Sequence, residues 1–429
     1  MSKRHGIRSG MRLLLLVVSW LVAGPGHLYA EEASAEDNAM WNDSNLLKWV
    51  SGIGGEESRY DDLATVQSFE MLQRTIEEVK QMVLHDAATE QEAIEGLRMI
   101  LKHLASETGD TLNYDFRNPL FSKQDPRNRD IGAYNPDAEY DQAYIDGRYD
   151  YKLTGNLGTV PYVSITVNGK ADSKLSRTVA YLNDTTIRKH AGADGKFILW
   201  FTKEKPKGEG AWIPLPDEAE GVVIRQYVAN RKVDKLASFA IEAVGDPLPD
   251  VDRISDDEMA RRLRKSSDYL AVVSTWHRTL LPEIRKQPNQ FVASTGTSIG
   301  ASAANSENYY QMAYYEIGEG EVLVVDFVPP DVVYWNLTSA TFWHESHRYL
   351  TDPVSLTSSE VTKRKNGNVR FIISKAEPDY PNWIKTFAHD RGFLILRMVG
   401  VKTHPLPVVR KVLRTDLADL MESRDAIMP

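Results

Sequence analysis

The chain contains no cysteine in 429 residues. That absence removes disulfides, thiolate metal sites and a cysteine nucleophile together. Positive charge is also short, with 51 Lys and Arg against 60 Asp and Glu and a formal net charge of −9. Nucleic-acid binding needs a basic footprint that this composition does not offer. Long apolar runs are missing too. The best one, LLLLVVSWLVAG at 13–24, falls short of the roughly 20 residues a spanning helix needs, so no stable membrane insertion is expected. No phosphate loop or dinucleotide fingerprint occurs, so no organic cofactor is expected, while a divalent ion stays open.

What is present begins with a leader. Lys3, Arg4, Arg8 and Arg12 precede the apolar run, and GHLYA follows it, which predicts a signal peptide over 1–30 cleaved after Ala30. The mature chain would be periplasmic or extracellular. Its charge would be −13, from 47 Lys and Arg against 60 Asp and Glu. Without disulfides it must rely on its core, and a chain of about 400 residues exceeds one core.

Residues 31–115 read as a loose acidic segment followed by helices. Leu72, Ile76, Val79 and Val83 recur at helical spacing, and Thr89 to Glu92 forms a capping box before a second helix. Those helices are expected to pack against the rest of the chain or to join copies in a homo-oligomer. Short β-branched and aromatic runs separated by Gly, Asn, Asp and Pro then predict a first β lobe over 116–250. A linker helix over 251–290 starts at a second capping box, Ser255 to Glu258. A second β lobe is predicted over 291–400 and a helical tail over 401–429.

The two β regions repeat each other. Asn135 to Gly169 matches Asn305 to Ala340, and Asp194-Gly195 followed by KFILWFT matches Asn366-Gly367 followed by NVRFIIS. Trp212-Ile213 matches Trp383-Ile384, and Arg225 matches Arg397. The intervals agree within one residue: 18 against 17 up to the Trp, then 13 against 14 up to the Arg. Ordered elements at fixed spacing indicate internal duplication. The fold class is therefore mainly β with helical additions: two tandem β-sandwich or jelly-roll lobes plus N-terminal and linker helices. Each Trp is expected to plug one end of its sandwich, and each terminal Arg to meet a carboxylate or backbone carbonyls.

EGEVLVVDFVPPDVVYWNL, Trp343-His344-Glu345-Ser346, Asn366-Gly367 and Pro381-Asn382-Trp383 through His389 and Arg391-Gly392 to Arg397 carry a resemblance. Residues from about 300 to 400 resemble the DUF1214 family. The first lobe is similar to the upstream half that many members carry. The resemblance implies paired β-sandwich or jelly-roll lobes and no settled activity.

NWIKTFAHDRG at 382–392 is the chief candidate site, with Asn382, Trp383 and Arg391 to bind a ligand and His389 to move a proton. Glu345, from WHESHR, is its expected catalytic partner, and Tyr310 and Tyr314 are expected to offer ring faces. In WHESHR, His344 and His347 lie three apart, which on a strand points them to opposite faces, so no metal site is expected there. GTSIG at 296–300 matches the G-x-S-x-G pattern but lacks alternating β/α surroundings and reads as a loop. Two functions follow: binding of a glycan or small amphiphile, or a glycan- or ester-acting hydrolase or lyase using His389 as general acid–base. A structural role in an envelope assembly is a third.

Overall fold

The computed structural model describes residues 59–112, 114–124, 132, 134–169, 176–245, 253–279, 282–295 and 307–418. The leader over 1–30 and GTSIG lie outside them. The chain divides into two units, 1–61 and 62–429. Of the first, residues 59–61 form a turn; everything below concerns the second.

Four helices matter. They are α1 (Ala64–Asp86), α2 (Glu90–Thr111), the short α3 (Asp184–Lys189) and α4 (Asp256–Ser274). Both N-caps form, Thr89 accepting the Glu92 N–H and Ser255 the Glu258 N–H, but the boxes do not close: Glu92 takes the Ala88 N–H instead, and Glu258 turns to Arg261 and Arg262.

The first lobe comprises β1 (Ser122–Lys123), β2 (Ala138–Tyr144), β3 (Asp150–Asn156), β4 (Tyr162–Gly169), β5 (Arg177–Leu182), β6 (Lys196–Thr202), β7 (Ala211–Pro214), β8 (Ala219–Tyr227) and β9 (Ser238–Val244). The second comprises β10 (Val292–Thr295), β11 (Asn308–Glu316), β12 (Glu321–Phe327), β13 (Trp335–Ala340), β14 (Ser355–Thr357), β15 (Val369–Ser374), β16 (Trp383–Lys385), β17 (Arg391–Val399) and β18 (Val408–Leu413). The large sheets run β1-β2-β8-β4-β5 and β10-β11-β17-β13-β14, and the small sheets β7-β6-β3-β9 and β16-β15-β12-β18. Adding nine to every strand of the first lobe reproduces the second, including the parallel pairs β6–β7 and β15–β16. The duplication is one of topology as well as sequence. Gly195 and Gly367 each take positive φ in the matching turns.

Within each lobe the facing sheets enclose one core. In β6, Phe197, Leu199 and Phe201 point inward while alternate residues are more exposed, the period-two pattern of a half-buried strand. In the second lobe β13, β15 and nearly all of β17 are buried along their length. Their other face is covered as well: Met312, Tyr314, Phe393 and Ile395 of the large sheet pack on Val79, Val83, Met99 and Leu270 of α1, α2 and α4.

The helical tail expected over 401–429 is corrected at its first described element. Val408–Leu413 is β18, antiparallel to β12, with a short turn at Arg414–Asp416 after it. Val409 packs on the lobe core and Val412 on its outer cluster, which favours strand over helix. The Trp plugs are also corrected. Trp212 and Trp383 are half-buried, and their indole N–H groups donate to the last carbonyls of β6 and β15, on Thr202 and Ser374, at 3.2 Å each. Ile213 and Ile384 beside them are the buried residues. Arg225 and Arg397 each donate at 2.9 Å to a threonine hydroxyl, Thr166 and Thr338, in matching positions.

The lobes meet through a tyrosine stack. Tyr227 lies 5.2 Å from Tyr162 and 4.8 Å from Tyr334 across the boundary. Asn135 donates to the Tyr334 hydroxyl and Asn308 to that of Tyr227. Asn336, which heads a glycosylation sequon, is fully buried and donates to Asn135 and Asp137.

Gly392 tests how tightly the second lobe is packed. A Cβ there would clash with the Ala340 carbonyl and come within 2.7 Å of the Tyr315 hydroxyl, whereas at Gly221 of β8 the nearest atom is 3.5 Å away. Gly392→Ala is expected to cost about 2–3 kcal/mol in a urea-unfolding measurement, against less than about 0.5 kcal/mol for Gly221→Ala.

Candidate functional site

The loop meets helix α2, which the sequence marks only for packing or an oligomer contact. Helix α2 places Glu92, Glu95, Arg98 and Lys102 at spacings of three, three and four, which aligns them on one face. Opposite Glu92 stands Arg391, with Nε at 2.7 Å and Nη2 at 2.6 Å from the two carboxylate oxygens. Opposite Glu95 stands His389, its Nε2 at 2.8 Å from Oε2. Opposite Arg98 and Lys102 stands Glu345, at 2.9 and 3.0 Å and with no exposed side-chain surface. Gly96 lets the helix approach, since a Cβ there would sit 2.5 Å from Val83 and 2.8 Å from Trp343. The Trp343 indole N–H donates to the Glu92 carbonyl at 2.7 Å.

His389 is held at both nitrogens, its Nδ1 lying 2.9 Å from the Thr386 carbonyl. Burial pushes its pKa down, but the hydrogen bond and charge of Glu95 outweigh burial and the net shift is upward from 6.5. Burial likewise pushes Glu95 up, and the bond to His389 more than offsets it, so its pKa falls below 4.5. The His347 ring lies 4.8 Å from that of His389, and burial pushes its pKa down to about 3. His347 Nε2, Thr386 Oγ1 and the Tyr315 hydroxyl, buried in this region, have no hydrogen-bond partner among the described residues. His344 sits apart at φ +65°, 4.2 Å from the Phe393 ring. No group of three or more metal-ligating side chains assembles among the described residues.

The other candidates are dispersed. Asn382 is buried and donates to the Thr362 and Arg370 carbonyls while accepting the Thr362 N–H. Trp383 caps β15 on the small sheet. The Tyr310 hydroxyl accepts from Asn308, which places it near the lobe boundary. Tyr314 is buried under the helices, 5.5 Å from Phe393. The structure therefore brings His389, Arg391 and Glu345 onto one helix face and leaves Asn382, Trp383 and Tyr310 elsewhere.

A cleft of ≈ 690 Å³ lies where α2 ends, α4 begins and the first lobe closes. At its centre is a column. Tyr114 stacks on Tyr144 at 4.4 Å with planes 15° apart, Arg262 covers Tyr114 at 3.9 Å, and Lys265 stands 5.1 Å from the Tyr144 centroid. The Tyr114 hydroxyl donates to Glu258, which also binds Arg261 and Arg262. The Tyr144 hydroxyl is buried and has no hydrogen-bond partner among the described residues. No motif in the sequence marks this cleft. Its one local signal is Arg261-Arg262-Leu263-Arg264, a cationic run on an otherwise acidic chain.

Comparison with known proteins separates the fold from the chemistry. A sequence model of DUF1214, described as a protein family of unknown function, matches residues 133–231 and 321–403. Both lobes match DUF1214. The DUF1214 segments hold β2 to β8 of the first lobe and β12 to β17 of the second. Among solved structures, an uncharacterized protein from Burkholderia cenocepacia is similar at 21% identity and a TM-score of 0.74, over 83% of this chain and 99% of that one. That likeness is one of fold. A Vibrio parahaemolyticus protein aligns at 13% identity and a TM-score of 0.43, over 73% of this chain and 98% of that one. No curated protein matches the chain.

The Glu95–His389 pair sets a pH dependence. The folded pKa of His389 is raised above 6.5, so its contribution is complete below about pH 6.5 and is lost as pH rises through the raised value. Glu95 is lowered below 4.5, so its contribution is complete above about 4.5 and is lost as pH falls through the lowered value. In urea-unfolding series, His389→Asn is expected to remove a stability loss on the order of 1 kcal/mol on the alkaline side of pH 6.5. An unchanged alkaline limb would sever the pair from stability.

Proposed function

We propose that this DUF1214-matching chain is an exported binding protein for a small amphiphilic ligand, held in the cleft between the helices and the first lobe. The single observation that carries the reading is the 690 Å³ cleft, a size within the range of ligand sites, with an unsatisfied buried hydroxyl on Tyr144 in its lining. His389 and Arg391 of the 382–392 loop are by contrast committed to α2, where they act as a clamp. The leader expected from the sequence over 1–30 is the support for export, and the fold alone does not name a ligand.

A second reading keeps His389 as a general acid–base. It draws on the Glu95–His389 dyad, a carboxylate orienting an imidazole, beside the unsatisfied hydroxyls of Tyr315 and Thr386.

A thermal-shift screen of glycans, lipids, steroids and organic acids separates the two. The cleft-filling Met259→Trp is compared with His389→Ala and the parent protein. A ligand at a hundredfold excess over Kd is expected to raise Tm by about 3 °C in the parent and in His389→Ala, and to lose that shift in Met259→Trp. The reverse pattern, with the shift lost only in His389→Ala, moves the site to the loop.

A further inference from the structure

Resting on the cleft reading above, we infer that its ligand is a small organic anion with an apolar body, the anionic group meeting Arg253 and Arg261. The inference starts from what the aromatic column does not leave open. A sugar ring is held by stacking on an exposed aromatic face. Tyr114 has Tyr144 on one face and the Arg262 guanidinium on the other, and at 4.4 and 3.9 Å both are in contact. Both faces of Tyr114 are thus already used inside the protein, and charge is the stronger hold the cleft offers a ligand.

Charge supplies them. Six cationic side chains and five carboxylates line the cleft. One carboxylate, Asp217, is already paired at 2.6 Å with Lys203, which is not part of the lining. Within the lining six cations then face four carboxylates, on a chain whose net charge is −9, while Glu107 and Asp110 place negative charge only at the Tyr144 end. Local potential, not net charge, decides what enters such a cleft.

The pairings identify which cations remain for a ligand. Asp115 holds Arg117, Asp146 holds Arg148, and Glu220 holds Lys265. Glu258 alone serves two, taking Nε of Arg261 and Nε of Arg262. Arg262 spends Nη1 on the Leu112 carbonyl. Arg261 spends Nη2 on Glu258 and Tyr114, leaving Nη1 without a partner among the described residues. Arg253 is exposed and has no hydrogen bond or ion pair among the described residues. A guanidinium with free N–H groups at a cleft wall is a ready carboxylate or phosphate receptor. Beside these cations the lining is apolar, with Leu112, Phe116, Ile145, Ile254 and Met259. The two together select an amphiphile that is negative at one end.

Isothermal titration of the purified protein tests the inference with four probes of matched or contrasting chemistry: 1-naphthoate, 1-naphthyl phosphate, the neutral 1-naphthamide and maltotriose. At least one naphthyl anion is expected to bind at least about tenfold more tightly than the amide, and Arg253→Gln to weaken it by about tenfold while leaving the unliganded Tm unchanged. Whichever anion binds assigns the head group as carboxylate or phosphate monoester. Arg261→Gln serves as a second variant, and raised salt is expected to weaken binding. Equal affinity for the amide and the anions, or anion binding unaffected by both arginine variants, overturns the anionic assignment. Binding of maltotriose alone, abolished by Met259→Trp, overturns the assignment and leaves the cleft reading standing. Failure of both anions overturns the assignment, and the broader screen with Met259→Trp decides the cleft reading separately.

Discussion

The structure depends on an ordered set of charges along one helix. Read from its N-terminus, the inner face of α2 presents acid, acid, base, base, at Glu92, Glu95, Arg98 and Lys102. The second lobe answers with Arg391, His389 and Glu345. Partly and fully buried ion pairs seldom add much net stability, because desolvation offsets attraction. Their value here is register. A slip of one turn would bring Arg98 towards His389 or Glu95 towards Glu345, setting like charges together where Glu345 and Glu95 are buried. Hydrophobic packing of Val79, Val83 and Met99 on the large sheet has no such sense of direction. The charges tell the helix where to stop.

That ladder also explains how far the sequence could be read. The duplication was legible because strand spacing, Asp-Gly and Asn-Gly turns and the paired Trp and Arg all recur at fixed intervals, and the nine-strand topology repeats accordingly. The contrast between the lobes was legible too. KFILWFT alternates because the other face of β6 is less covered, whereas GFLILRMV does not, because helices and the first lobe cover its other face.

The partners of the candidate loop were not legible, for a physical reason. Glu92 and Glu95 look like ordinary helix-face acids, and only the tertiary fold brings them to residues nearly three hundred positions later. The asymmetry between the copies, with His389, Asp390 and Arg391 present only in the second, was visible as sequence. In space His389 and Arg391 mark the side on which α2 lies, while Asp390 pairs with Lys375 of its own lobe. The cleft column was hidden for a similar reason: Tyr114, Tyr144, Arg262 and Lys265 come from separate segments with no shared motif. Residue types suited to caps were easier to name than to place. Trp212 and Trp383 donate to strand ends, and the bulk expected of them is supplied by the isoleucines that follow.

The separation of α2 from its partners has a consequence in time. The bonds from Glu95 to His389 and from Glu92 to Arg391 span 294 and 299 positions. During synthesis the first lobe has all nine strands before α4 emerges. The N-terminal helices cannot finish packing, since the sheet they cover is completed only with β17. Until then their apolar faces have no permanent cover, and such waiting surfaces are where non-local folds are slow and prone to association. The first two helices of the described chain belong against a sheet that is among its last parts to be made.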